Sequence, residues 1–214
     1  MPKIVDHDER RAQLTDALVR LAARSGLHSV TMRAVAAEAG VSLRLVQYYF
    51  HTKAQLMHAA LARLTEQSNQ RWAKRIAALA EPTSTRGYLR ELLAEALPTD
   101  EPSRAFHLVW SSYAVLAMTD PELAAQPFIE GPNLLEGRLI EALESAHRAG
   151  ELRPEADPST EAARLLSINH GLATSVLIGQ RGAAAAHAIL NYHLDELFPD
   201  NLKERGHTQS RQDS

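Results

Sequence analysis

The stretch TMRAVAAEAGVSLRLVQYYFHTK, Thr31 to Lys53, decides the reading of the whole chain. Thr31 is placed to cap a helix of about Met32 to Ala39, with Val30 before the cap and Val35 at the fourth helical position as a hydrophobic staple. Gly40 stops that helix. Ser42 caps a second short helix, where Val41 and Val46 repeat the staple, and Thr52 with Gln55 has capping-box spacing at the start of a third. Two short helices joined by a glycine-centred turn let one helix cross a DNA backbone while its successor enters the major groove. Val46 faces inward, and Phe50 closes the motif.

The outward positions of the second short helix are Leu43, Arg44, Gln47 and Tyr48. Arg44 has the fork that pairs with guanine, Gln47 can pair with adenine, and Leu43 can touch a thymine methyl. The hydroxyls of Tyr48, Tyr49 and Thr31 suit phosphate oxygens. Tyr49 also has a purely structural reading as a core aromatic. Lys53, in the first turn of the next helix, works against the helix dipole, and a phosphate there would compensate it.

Outward from the motif, the patterning is helical almost everywhere, with apolar residues recurring at three and four. A first helix spans about Glu9 to Arg24, with the stripe Leu14, Ala17, Leu18, Leu21, Ala22 and with Gly26 as its left-handed cap. A long helix runs from Lys53 to about Leu79, and Pro82 breaks the chain. Helices of about Thr85–Leu97, Ser103–Met118 and Pro121–Ala149 follow, the last kinked or divided near Pro127, Gly131 and Pro132. Asp157 and Pro158 open a helix to Ile178, and a final helix covers about Ala183–Phe198. The expected fold is all-α, about nine helices: a three-helix DNA-binding head over 1–52, a helical bundle over 53–200, and a disordered polar tail over 201–214.

The charge follows the same division. The 214 residues carry a net charge of -3, yet residues 1–64 hold 9 Lys and Arg against 5 Asp and Glu, and the rest holds 14 against 21. A basic head on an acidic body places the polyanion contact at the head. With no cysteine there is no disulfide framework, thiolate metal site or cysteine nucleophile. No apolar run approaches the length of a membrane span and no secretory signal stands at the start, so a cytoplasmic, nucleoid-associated protein is expected, without membrane contact. The ten histidines show no ligand spacing, so neither metal nor cofactor is expected.

The order of capped short helix, Ala-Gly-Val-Ser turn, second short helix, aromatic pair ending in Phe50, then Thr52-Lys53 and a leucine-rich long helix resembles the TetR family of bacterial transcriptional regulators over residues 8 to about 64. The resemblance implies that Thr31, Arg33, Ser42, Leu43, Arg44, Gln47, Tyr48, Tyr49 and Lys53 form the surface for double-stranded operator DNA. Many members carry glycine where Arg44 stands and tyrosine where Gln47 stands, so the operator sequence is this chain's own. It also implies a homodimer, a small-molecule effector and repression by default, with activation as the alternative.

The apolar residues that surround the Pro158 and Ala183 helices predict a four-helix dimer interface through Leu165, Leu166, Leu172, Val176, Ala186, Ile189, Leu190, Leu194 and Leu197. The opposing reading makes both helices central in one protomer. For the effector, Trp72, Phe106, His107, Trp110, Tyr113, Met118, Phe128, Asn169, His170 and Thr174 are the candidates, since an apolar pocket with a few polar groups is what such a site needs. The same residues also read as an ordinary aromatic core. An enzyme with His107 or His170 as acid or base is the rival class, and it lacks a nucleophile, a phosphate loop and paired carboxylates. A protein-docking module is disfavoured by the polar face of the Ser42 helix.

Overall fold

The computed structural model describes residues 7–78 and 84–199. Within them the chain is all-α, with ten α-helices and a 3-10 turn and no strand. In order these are α1 (His7–Ser25), the 3-10 turn (Leu27–Ser29), α2 (Met32–Glu38), α3 (Leu43–Tyr49), α4 (Lys53–Ala77), α5 (Thr85–Glu95), α6 (Glu101–Ala117), α7 (Pro121–Ala124), α8 (Glu130–Arg148), α9 (Pro158–Leu177) and α10 (Ala183–Leu197). The count exceeds the expected nine because the stretch after Pro121 divides at Pro127 into α7 and α8. The expected break at Pro82 and the tail over 201–214 lie outside the described residues. No helix among those described is long and apolar enough to cross a membrane.

The caps explain most of the borders. Asp100 accepts from Ser103 N at 2.8 Å and Asp157 from Thr160 N at 2.8 Å, so α6 begins two residues before its expected start and α9 where expected. Gly26 takes φ 76° with ψ 151°, so it is not the left-handed cap expected after α1. It turns the chain straight into the 3-10 turn, in a region glycine reaches at little cost, and a Cβ there would stand 2.8 Å from the His28 ring.

By packing, the chain divides into two compact units. The first comprises residues 1–70 and 100–131, and the second 71–99 and 132–214. In the first, Leu14 and Leu18 of α1, Val35 of α2, Val46 of α3, Leu56 and Met57 of α4 and Tyr113 of α6 close one core. Its head is therefore not three helices alone; α4 and α6 complete the apolar cover of α1. In the second, Leu89 and Leu93 of α5, Leu139 and Leu143 of α8, Leu165 of α9 and Leu194 of α10 make a separate core. Each fully buried leucine contributes about 2 kcal/mol. Helix α4 is continuous, starting in the first unit and ending in the second.

This second core takes in the residues expected at the dimer interface. Leu165, Ala186, Leu194 and Leu197 are fully buried within the protomer itself, Leu166, Leu172, Val176 and Leu190 nearly so, and Ile189 packs half-buried against them. Helix α10 lies against both α9 and α5. Left outward are Ala163, Ser167, Gly171, Thr174 and Ile178 on the α9 side and Ala184, Ala185, Ala188 and Tyr192 on α10.

Candidate nucleic-acid interface

The three expected caps form. Thr31 Oγ1 accepts from Ala34 N at 3.1 Å, Ser42 Oγ from Leu45 N at 3.2 Å, and Thr52 Oγ1 from Gln55 N at 3.1 Å. Gln55 reaches back as a capping box does, though its side chain accepts from His51 N rather than from the backbone of Thr52. Below the caps, Val35 and Val46 are fully buried and Phe50 nearly so. With its inner face fixed by Val46 and Phe50, α3 turns the opposite face outward: Arg44, Gln47 and Tyr48 are exposed, and Leu43 and Tyr49 half-buried. Thr31, Arg33 and Ser42 are exposed at the helix starts, and Lys53 is half-buried in the first turn of α4. The nine predicted DNA residues thus belong to one unit and none is buried.

What the sequence reading missed is the bracing of this head from α1. Arg11 donates from Nη1 to the carbonyl of Tyr49, the last residue of α3, at 3.2 Å, and its guanidinium lies 4.5 Å from the centroid of the Phe50 ring. Gln13 donates from Nε2 to the carbonyl of Ala39 at the end of α2, at 2.9 Å. Glu38 receives Arg20 Nε at 2.9 Å and pairs with Arg24 as well. Hydrogen bonds from Arg24 and then Arg20 hold the Glu38 carboxyl at about 2, well below the ordinary carboxylate range. Arg63 of α4 grips Asp16 through two bonds of 2.7 and 3.1 Å. No sequence period announces these contacts, since the partners stand up to 47 positions apart.

The candidate effector residues divide between the units. In the first, Tyr113 is fully buried and donates to the carbonyl of Leu123 at 3.1 Å, with Phe128 against its ring at 5.2 Å. Burial, helped by Asp120, pushes its hydroxyl up to about 12, so it stays a structural donor. His107 is buried, Phe106 and Trp110 are half-buried, and Met118, at 80 % exposure, lines no enclosed space there. In the second unit Asn169 is 1 % exposed and donates to the carbonyl of Leu93 at 3.0 Å, tying α9 to α5, while its Oδ1 is buried with no partner. Burial lowers the pKa of His170, and Thr174 folds back on its own helix to donate to the His170 carbonyl.

Trp72 has company that the sequence did not announce. Tyr88 of α5 meets it edge-on, 5.8 Å between centroids at 83°, and the Arg138 guanidinium of α8 lies 4.3 Å from its ring centroid. The Trp72 Nε1 is buried without a hydrogen-bond partner among the described residues. Two ring walls at a right angle with a cation on the indole face form a cation–π corner.

A capped helix-turn-helix with an outward row of guanidinium, amide and phenol groups, carried on an all-helical two-unit chain, defines a DNA-binding transcription regulator. Residues 14–60 match the bacterial regulatory proteins of the tetR family, and residues 85–199 match the BetI-type transcriptional repressor C-terminal family. The chain belongs to the TetR family. It is similar to the HTH-type transcriptional regulator PksA of Bacillus subtilis, 26% identical over 83% of each chain. It is also similar to BetI of Paraburkholderia phymatum, 32% identical over 58% of this chain and 62% of that protein. Among solved structures, a transcriptional regulator from Rhodococcus sp. RHA1 matches with a TM-score of 0.70 and 27% identity, over 87% of this chain and 95% of that one. A regulator from Saccharomonospora viridis, crystallised in complex with choline, shares the fold with a TM-score of 0.77 at 24% identity, over 88% of this chain and 96% of that one.

Proposed function

We propose that the chain is a homodimeric repressor released from its operator by a small organic cation. The observation that carries the DNA part is the exposed row Arg44, Gln47 and Tyr48 on a helix whose start and inner face are both fixed. A rigid frame keeps the ordering cost of base contact low, and the three side chains supply guanine, adenine and phosphate partners. Thr31, Arg33, Ser42, Leu43, Tyr49 and Lys53 complete the surface. The dimer uses the outward α9 and α10 face: Gly171, Ala163, Ala184, Ala185 and Ala188 let helices approach closely, with Ile178 and Tyr192 as larger anchors at 70 and 60 % exposure. Two copies place two recognition helices on successive major grooves, about 34 Å apart.

The effector reading rests on Trp72, Tyr88 and Arg138. A ligand ammonium competes with the Arg138 guanidinium for the indole face and exchanges its place on α4. Since α4 starts within the DNA unit at Lys53, ligand and operator affinities are coupled, by about 1–3 kcal/mol in regulators generally. The bound choline of the Saccharomonospora viridis relative supports the ligand class. The test takes the purified protein through a randomised duplex pool, then titrates choline against the enriched duplex in a gel shift. Enrichment of an inverted repeat, and its release by choline but not by glycerol, are the expected results. A pool without sequence enrichment defeats the DNA assignment, and unchanged affinity at saturating organic cation defeats the effector assignment.

A further inference from the structure

The first residue of α1 stands against the recognition helix. The His7 ring lies 5.4 Å from that of Tyr49 at 57° and 6.4 Å from that of Tyr48 at 42°, while the two tyrosine rings meet edge-on at 5.2 Å. His7 is exposed and Tyr48 is 66 % exposed, so this three-ring group faces solvent on the side of the head that carries Arg44 and Gln47. Surface rings with polar tips seldom gather without a partner, because exposed apolar area is stabilised when something covers it.

We propose that His7 is a further DNA-backbone contact, an imidazole carried by α1 that joins Tyr48 and Tyr49 in holding one phosphate group and makes operator binding pH-dependent. The inference rests on the DNA-binding role of α3. Each member of the trio brings an N–H or O–H donor and a flat ring, and neither tyrosine hydroxyl nor imidazole carries a negative charge that would repel a phosphate. Tyr48 and Tyr49 meet the ring directly, and the other charged and titratable groups on these elements include, among the described residues, Asp8, Glu9, Arg10 and Arg11 in the first turns of α1, Arg44 on α3 and His51 in the turn after it. Asp8, Arg11, Tyr49 and His51 line one open groove of the head. Asp8 and Glu9 already place negative charge in this first turn, and a bound phosphate adds more beside the ring. An imidazolium offers a phosphate two N–H donors and a positive charge that the neutral ring lacks, so binding is expected to tighten at lower pH.

The trio also sets a geometric requirement. Tyr48 and Tyr49 are successive residues and so point about 100° apart around α3. One phosphate can meet both hydroxyls only if something steers the rings toward each other. The His7 ring, touching both, does this from the neighbouring helix. His7 therefore acts twice, as a donor and as a lateral support for the two phenols.

The duplex enriched from the random pool tests this by fluorescence anisotropy at about pH 6 and pH 8, with a salt series at each. The wild-type protein is expected to bind about fivefold tighter at pH 6, with a salt slope steeper by about 0.9, the value for one more neutralised phosphate. H7F keeps a ring against the tyrosines and loses both nitrogens; its affinity and slope should match at the two pH values. H7R should hold the steeper slope at both. A wild-type protein without the pH response, or an H7F that retains it, overturns the proposal, the latter assigning the proton to another histidine such as His51. A melting temperature for H7F equal to wild type separates lost contact from lost fold, and failure of any duplex to enrich marks failure of the DNA reading instead.

Discussion

Replacing Arg11 with alanine separates bracing from contact at the DNA head. Arg11 makes two interactions at the end of α3: the 3.2 Å bond to the Tyr49 carbonyl and the guanidinium–ring contact with Phe50 at 4.5 Å. Both are solvent-exposed, so each contributes only about 0.5–1 kcal/mol. The expected loss is about 1–2 kcal/mol of unfolding free energy, read from chemical denaturation. If the whole loss falls on docking of α3, operator affinity drops by about fivefold to thirtyfold, and by less if the head holds α3 through Val46 alone. A brace carries no phosphate, so the slope of log affinity against log salt should not change in R11A. R11K, which keeps the charge but not the planar fork, should rescue little of the stability. A slope shallower by about 0.9 in R11A, restored in R11K, would make Arg11 a phosphate contact and refute the argument.

Arg44→Ala should relax base preference at a single position of the enriched site at a cost of about 1–3 kcal/mol, whereas Lys53→Ala should weaken all duplexes alike and flatten the salt slope by about 0.9; selection and salt titration on the two variants read this directly. Gly171→Arg should leave the protomer folded, because a Cβ at that position meets nothing within 4 Å, and should give a monomer by light scattering; an intact dimer would move the interface elsewhere. Acid unfolding should show the Glu38 link. A carboxyl lowered to about 2 in the folded chain stabilises it fully above the ordinary carboxylate range, and that contribution fades as the pH falls from about 4.5 toward 2. Glu38→Gln should therefore lower stability at neutral pH and flatten the curve through that window; a parallel shift at every pH would deny the link.

The capped frame that carries the proposed DNA surface was legible because local chemistry determines it. A cap needs an oxygen at one position and a staple needs apolar residues around it, and both rules act over five or six residues, so Thr31, Ser42 and Thr52 could be placed without knowing the rest of the chain. Val46 and Phe50 follow from the same window, and once they face inward the outward positions of α3 are determined by the helical period. The braces were not legible for the opposite reason. Arg11, Gln13 and Arg20 read as ordinary surface charges and amides on α1, and only the fold brings them to the ends of α2 and α3.

The interface residues show where periodicity stops carrying information. Apolar residues all around α9 show that it is covered on several sides but not by what, and the same pattern serves a helix between two copies and a helix between α5, α8 and α10 of one. The most buried of these leucines have no exposure in the protomer, so the proposed dimer face is drawn from the outward residues instead. Outward on α9 and α10 stand the small residues Ala163, Ser167, Gly171, Ala184, Ala185 and Ala188 beside Thr174, Ile178 and Tyr192, and sequence reading treats the small ones as bland because each side chain alone contributes little. At a helix–helix contact small side chains allow short interaxial distances, so that backbone and neighbouring atoms supply the dispersion that a leucine would otherwise provide. Gly171 costs its helix about 1 kcal/mol relative to alanine, and its own protomer has open space where the alanine methyl would sit. A protomer acting alone would gain stability from that methyl. That it stands without one, with Ser167 and Thr174 beside it on the outward side of α9, fits the proposed dimer face.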